Sequence, residues 1–158
     1  MNLFLLNIVL AALFAAVIGS FSLGWLAVGF ALGTLAMWVT KPLYGQDSTY
    51  FLRGARLVKL LVYFLYELVV SSVRVVWDVI TPQHISRPGI VAVPLDAKSD
   101  TEIMLVANLI SLTPGTLSLD VSEDRKTLYV HAMFIEDVDE TVQDMKNGME
   151  RRLLEVTR

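Results

Sequence analysis

From Met1 to Thr40 the chain carries no charged side chain, and Lys41 is the first. As one unbroken helix, forty residues would reach about 60 Å, roughly twice the hydrocarbon thickness of a bilayer. The run must therefore fold back on itself. Gly19-Ser20-Phe21-Ser22-Leu23-Gly24 places two Gly and two Ser in six positions, a turn signal. The expectation is a membrane helical hairpin over residues 1–40, with helices over 3–18 and 23–40. A cleaved secretory signal fits less well: the start has no basic segment, and the apolar run continues past any small-residue cleavage point. Sixteen to eighteen residues per helix give about 24–27 Å, at or below spanning length, which a locally thinned bilayer tolerates. Gly29 and Gly33 form G-x-x-x-G, a pattern that lets a neighbouring helix approach closely. Trp25 and Trp38 stand near the ends of the second helix, where interfacial aromatics belong.

Residues 41–56, KPLYGQDSTYFLRGAR, read as a basic loop. Residues 57–82, LVKLLVYFLYELVVSSVRVVWDVITP, read as an amphipathic or membrane helix ending at Pro82. Glu67, Ser71, Arg74 and Asp78 recur at helical spacing as one polar stripe, extended by Tyr63 and Lys59. This helix either spans, with the stripe against protein, or lies in the interface with its apolar side in lipid. Lys41, Arg53, Arg56 and Lys59 cluster after the hairpin; the positive-inside rule puts them in the cytoplasm and favours the shallow placement. Two readings of Glu67 stand: a protonatable carboxylate on an ion path, or a structural partner for a nearby cation. Arg74 and Asp78, four apart, are spaced to pair directly.

The charge is unevenly distributed. Residues 1–88 hold six Lys/Arg and three Asp/Glu; residues 89–158 hold the remaining seven and thirteen. An acidic C-terminal region argues against nucleic acid, whose phosphates need clustered Lys/Arg. There is no cysteine, which removes disulfides, thiolate nucleophiles and Cys-ligated metals. His84 and His131 stand alone, with no second ligand at metal spacing. Nothing in the pattern calls for a catalytic residue, a metal or a cofactor.

Residues 83–158 read as a small α+β domain of order β-α-β-β-α. Ile90–Leu95 is a short strand, and Ser99 with Glu102 forms a capping box for a helix. Thr113-Pro114-Gly115-Thr116 is a structural turn: one Gly and no following Lys-Ser/Thr make it no phosphate cradle. Leu117, Leu119 and Val121 alternate with polar residues in a second strand. Thr127–Ile135 returns with Leu128, Val130, Ala132 and Phe134 on one side. Val138 to about Val156 keeps a helical apolar register. Some seventy residues make a marginal core that gains from docking on a partner or membrane.

Gly19-Ser20-Phe21-Ser22 with Gly24, Arg87-Pro88-Gly89-Ile90-Val91, Ala107-Asn108, Leu112-Thr113-Pro114-Gly115-Thr116, Asp120-Val121 and Leu128-Tyr129-Val130-His131 together resemble the E subunit of the multisubunit Mrp-type (Mnh, Pha) cation/proton antiporters. The resemblance covers nearly the whole chain. It implies a bacterial or archaeal plasma membrane complex that exchanges cytoplasmic Na⁺, or a related monovalent cation, for external H⁺. It also implies an accessory component with no catalytic residues of its own, partnered by other antiporter subunits and the lipid bilayer; the shallow placement of residues 57–82 keeps the soluble domain in the cytoplasm. Two rival readings remain. One is direct participation of Glu67 in the cation or proton path. The other is a stand-alone membrane regulatory protein.

Overall fold

The structure, a computed structural model, describes residues 3–40 and 49–158. The chain divides into two compact units, one up to Leu52 and one from Arg53.

The first unit holds α1 (Leu3–Ile18) and α2 (Leu23–Val39), packed as a hairpin. The break falls where the sequence places it. Gly19 takes a left-handed conformation (φ +75°), while its N–H bonds Ala16 O and that of Ser20 bonds Ala15 O. This pairing closes a helix end, and glycine meets the positive φ at no steric cost. Ser22 then caps α2, its hydroxyl accepting from Trp25 N. The seam is made mainly of small residues: Ala11, Ala15, Gly29 and Gly33 are buried, together with Asn7 and Met37, whereas Phe4, Leu13, Val17 and Trp38 face outward. A Cβ on Gly29 would sit 3.0 Å from Ala11 O, and one on Gly33 would collide with Asn7 Oδ1. The G-x-x-x-G pair therefore marks where the backbone of α1 comes closest.

α3 (Thr49–Ile80) is a 32-residue helix, about 48 Å long. It is long and apolar enough, over Tyr50–Ile80, to cross a membrane by length and composition; α1 and α2 are shorter apolar helices. The basic loop predicted over 41–56 is only partly testable. Residues 41–48 lie outside the described residues, and 49–56 are helical. Gly54 is the weakest helix former there, and its cost of about 1 kcal/mol does not break an otherwise continuous amphipathic pattern. The helix stops at Ile80, before Pro82, whose ring disfavours helical geometry at the residue preceding it.

From Arg53 onward, α3 belongs to the same unit as the α+β fold, so that unit is larger than residues 83–158. The fold continues with β1 (Gly89–Pro94), α4 (Asp100–Ser111), β2 (Thr116–Val121), β3 (Thr127–Ala132), α5 (Val138–Met145), a π-helical turn (Lys146–Glu150) and α6 (Arg151–Thr157). The sheet is antiparallel, ordered β1-β3-β2, with Val91 opposite Val130 and Val93 opposite Leu128. Alternation sends Val91, Val93, Leu128, Val130 and Ala132 into the core, where Ile103, Val106 and Ile110 of α4 meet them. The predicted capping box forms: Ser99 Oγ accepts from Glu102 N, and Glu102 Oε2 accepts from Ser99 N.

The single helix predicted over 138–156 is interrupted, and the fold closes on helix, π turn and helix. The wider turn buries Gly148, Met149 and Glu150. Glu150 Oε1 accepts from Asp96 N at 2.6 Å and Ala97 N at 2.9 Å, tying down the segment after β1. Lys146 flanks it, donating to Pro94 O and pairing with Asp96. Leu60 of α3 is buried in the same core as Leu153 of α6, so the long helix is part of this unit's packing.

Candidate functional site

The polar stripe of α3 faces its own α+β fold. At the N-terminal end, Arg56 donates to Glu155 O at 2.8 Å. One turn beyond Leu60, Tyr63 lies over Gly148, where an added Cβ would stand 2.6 Å from its hydroxyl. The Arg152 guanidinium stacks 3.7 Å from the Tyr63 ring centroid and donates to Asn147 O and Gly148 O. A cation over an aromatic face is attracted by the ring quadrupole. Gly148 is thus the residue that lets Tyr63 and Arg152 lock α3 to the π turn.

Glu67 is half-buried, and its carboxylate interacts with the Tyr63 hydroxyl one turn before it. Arg74 lies 5.8 Å over the Phe134 ring. Asp78 is 2% exposed; its Oδ1 accepts from Ile85 N at 2.5 Å and Ser86 N at 3.0 Å, with His84 Nδ1 3.7 Å from Oδ2. The predicted Arg74–Asp78 pair is therefore not made. Two backbone N–H groups that α3's exit would otherwise leave unpaired hold the buried carboxylate, while the exposed Arg74 finds an aromatic face. Among the described residues, no ion pair joins Glu67, Arg74 and Asp78 to one another. The stripe is one row by sequence but three separate contacts in space.

Between α3 and the α+β fold is a cavity of about 470 Å³. Glu67 and Arg74 line it, as do Phe134, Glu140 and Asp144, with the Thr113–Thr116 turn at its edge. That turn is internally held: Thr116 Oγ1 donates to Ile110 O and Thr113 O, Thr113 Oγ1 donates to Leu109 O, and Gly115 takes φ +90°. Among the described residues, no group of three His, Asp or Glu side chains is arranged to hold a metal ion.

Three positions with structural roles escaped the sequence reading. Asn7 is buried in the hairpin, its Nδ2 donating to Thr34 Oγ1 at 2.7 Å and to Tyr50 OH at 3.0 Å. An Asn well inside an uncharged apolar run was the available signal, since a polar side chain among apolar helices usually hydrogen-bonds across them. Glu150 and Gly148 carried no comparable mark. Away from the cavity, the Glu102 carboxyl is pulled down to about 2, first by the Lys98 N–H and then by the Arg158 guanidinium and the Ser99 N–H. Asp124 is lowered as well, chiefly by the Ser122 hydroxyl and the Lys126 N–H in the β2–β3 turn.

Residues 7–156 match the family model MNHE, described as Na⁺/H⁺ ion antiporter subunit. The E subunit of the Na⁺/H⁺ antiporter of Alkalihalophilus pseudofirmus is 36% identical, covering 98% of this chain and 97% of that protein. The Bacillus subtilis protein of the same name is 35% identical over the same shares. Among solved structures, a chain of the Mrp complex from a Dietzia species is 29% identical with a TM-score of 0.51, covering 65% of this chain and 96% of that one. A chain of the membrane-bound sulfane sulfur reductase, an archaeal respiratory membrane complex, shares the fold at a TM-score of 0.57 and 22% identity, covering 97% and 98%.

Proposed function

The chain belongs to the Na⁺/H⁺ ion antiporter subunit family, as an E subunit of the multisubunit Mrp antiporter, and we propose that its work in that membrane complex is architectural. It is a transporter component rather than an enzyme. The observation that carries the reading is the engagement of α3: Arg56, Tyr63, Glu67, Arg74 and Asp78 are each committed to a contact within the same unit. A stripe held this way braces a domain. Split into separate contacts, it is poorly suited to passing ions, whose paths run along connected polar groups or water.

The outer side of α3 supports a position in the membrane interface. Leu61, Val62, Leu65, Val69, Val73 and Val76 are exposed. Lys59, Tyr66 and Trp77, spaced seven and eleven apart, share one flank of the helix and are also exposed. A snorkelling Lys and interfacial aromatics belong where lipid meets water. With the stripe turned toward the α+β fold and the opposite side largely apolar, α3 lies flat and the α+β fold stays on the cytoplasmic side with Arg53, Arg56 and Lys59. The hairpin helices, of 16 and 17 residues, reach about 24–26 Å against a hydrocarbon core of about 30 Å. They thin the bilayer locally, at a modest cost per Å.

One observation favours the rival reading: Glu67 borders a cavity. Its interaction with Tyr63, which is itself locked to the π turn, favours the structural one. The absence of native cysteine makes the topology directly testable. Single cysteines at Ser22, Ser48 and Asp124 are to be labelled in intact cells with a membrane-impermeant maleimide. Position 22 reacts from outside, and 48 and 124 react only after permeabilisation. External labelling at 124 means that α3 spans.

A further inference from the structure

We propose that the cavity between α3 and α5 is a docking groove for a basic, Lys/Arg-bearing segment of a neighbouring subunit; this rests on the chain's place in a multisubunit antiporter. Three carboxylates, Glu136, Glu140 and Asp144, stand along the α5 side of the groove. All are exposed, and none makes an ion pair among the described residues. Asp137, beside them, is occupied as the N-cap of α5, its Oδ1 accepting from Glu140 N. On the opposite wall, Glu67 is taken by Tyr63, and the cation there, Arg74, is turned over Phe134. Lys146, the nearest basic residue along the chain, is drawn away to Asp96 and Pro94 O.

With five carboxylates (Glu67, Glu136, Asp137, Glu140 and Asp144) against one cation, Arg74, among its lining residues, the groove carries an excess of negative charge. Glu140 and Asp144 are four apart on one helix, a spacing at which like charges repel and destabilise the helix. A cationic side chain placed between them turns that repulsion into attraction. Ile110, Phe134 and Met149 give the groove an apolar part, which takes the aliphatic stem of a Lys or Arg while its head meets the carboxylates. Charge complementarity of this kind fixes partner and register, and it weakens with salt.

The test uses carbodiimide with a small amine to tag reactive carboxylates, read by mass spectrometry. It compares the whole antiporter complex in detergent with the full chain alone in liposomes. Glu140 and Asp144 are protected at least about threefold in the complex only, while Glu123 and Asp124 of the β2–β3 turn react equally in both. A second measurement uses the triple variant E136Q/E140Q/D144N. It should be lost from the tagged complex at moderate salt at least about tenfold more than wild type, whereas E123Q/D124N is retained. Equal tagging in both preparations, protection already complete in liposomes, or full retention of the triple variant overturns the proposal. Protection in liposomes would assign the groove to the bilayer surface. Failure of the wild-type chain to co-purify with any other antiporter component would instead count against its membership of a complex.

Discussion

The hairpin and the unit from Arg53 bury opposite kinds of residue. Between α1 and α2 the buried residues are Ala, Gly, one Asn and one Met, and most large side chains point out. In the α+β fold Val, Leu and Ile point in, and the sheet is built around them. The difference is one of solvent. In water, removing apolar area is worth about 25 cal/mol per Å². In hydrocarbon a Leu gains nothing by turning inward, and helices associate through close backbone approach and polar contacts. α3 shows both rules on one helix: Leu60 is 5% exposed in the core, and Leu61 beside it is 51% exposed.

That contrast can be broken by substitution. Leu60→Ala removes a core side chain of the larger unit and should cost about 2–4 kcal/mol, whereas Leu61→Ala should stay within about 0.5. Thermal unfolding of the full chain in detergent measures both, and equal costs would mean that α3 is not divided between core and lipid. In the hairpin, Gly33→Leu should cost about 1–3 kcal/mol through overpacking against Asn7, while Gly24→Ala, with only Ser22 Oγ near its Cβ, should be nearly neutral. Helix association in lipid micelles reads that pair. Gly148→Ala is smaller, about 1 kcal/mol, and a double-mutant cycle sharpens it. In a Tyr63→Phe background the contact at 2.6 Å is gone and the nearest ring carbon stands at 3.3 Å, so the penalty should fall by about half.

The smallest effect is a pH slope. The folded-state pKa of Glu102 is lowered from 4.5 to about 2. Its contribution to stability is therefore present above the unfolded value and lost as pH falls through the folded one. Asp124 acts in the same direction. Stability of the wild-type chain should decline between about pH 4.5 and about 2, and Glu102→Gln should flatten that part of the curve. An unchanged slope in the variant would remove Glu102 from the account.

Local rules made much of the architecture legible. The Gly19–Ser22 break, the Ser99–Glu102 capping box and the period-two strands each depend on residues within one turn or one strand of each other. The polar stripe was legible too, but not where its members point. Asp78 pairs with backbone N–H groups seven and eight residues away, in a loop whose path the sequence does not encode locally. Glu150 reaches Asp96 and Ala97 across more than fifty residues. The π turn was hidden for a different reason. Val142, Met145, Met149, Leu153 and Val156 keep spacings that an unbroken α-helix also shows, and the contacts made at the turn, Tyr63 on Gly148 and Glu150 on Asp96 and Ala97, come from distant parts of the chain. The cavity is likewise a product of packing α3 on the fold, which no spacing within either segment reveals.

The central claim is that α3's stripe supports structure and carries no ions. Glu67→Gln keeps the shape and a partner for the Tyr63 hydroxyl while removing the titratable charge. Na⁺-driven antiport in membrane vesicles, normalised to assembled complex, should stay within about twofold of wild type. Loss of antiport with every component still co-purifying in the same ratio would contradict the claim and place Glu67 on the ion path.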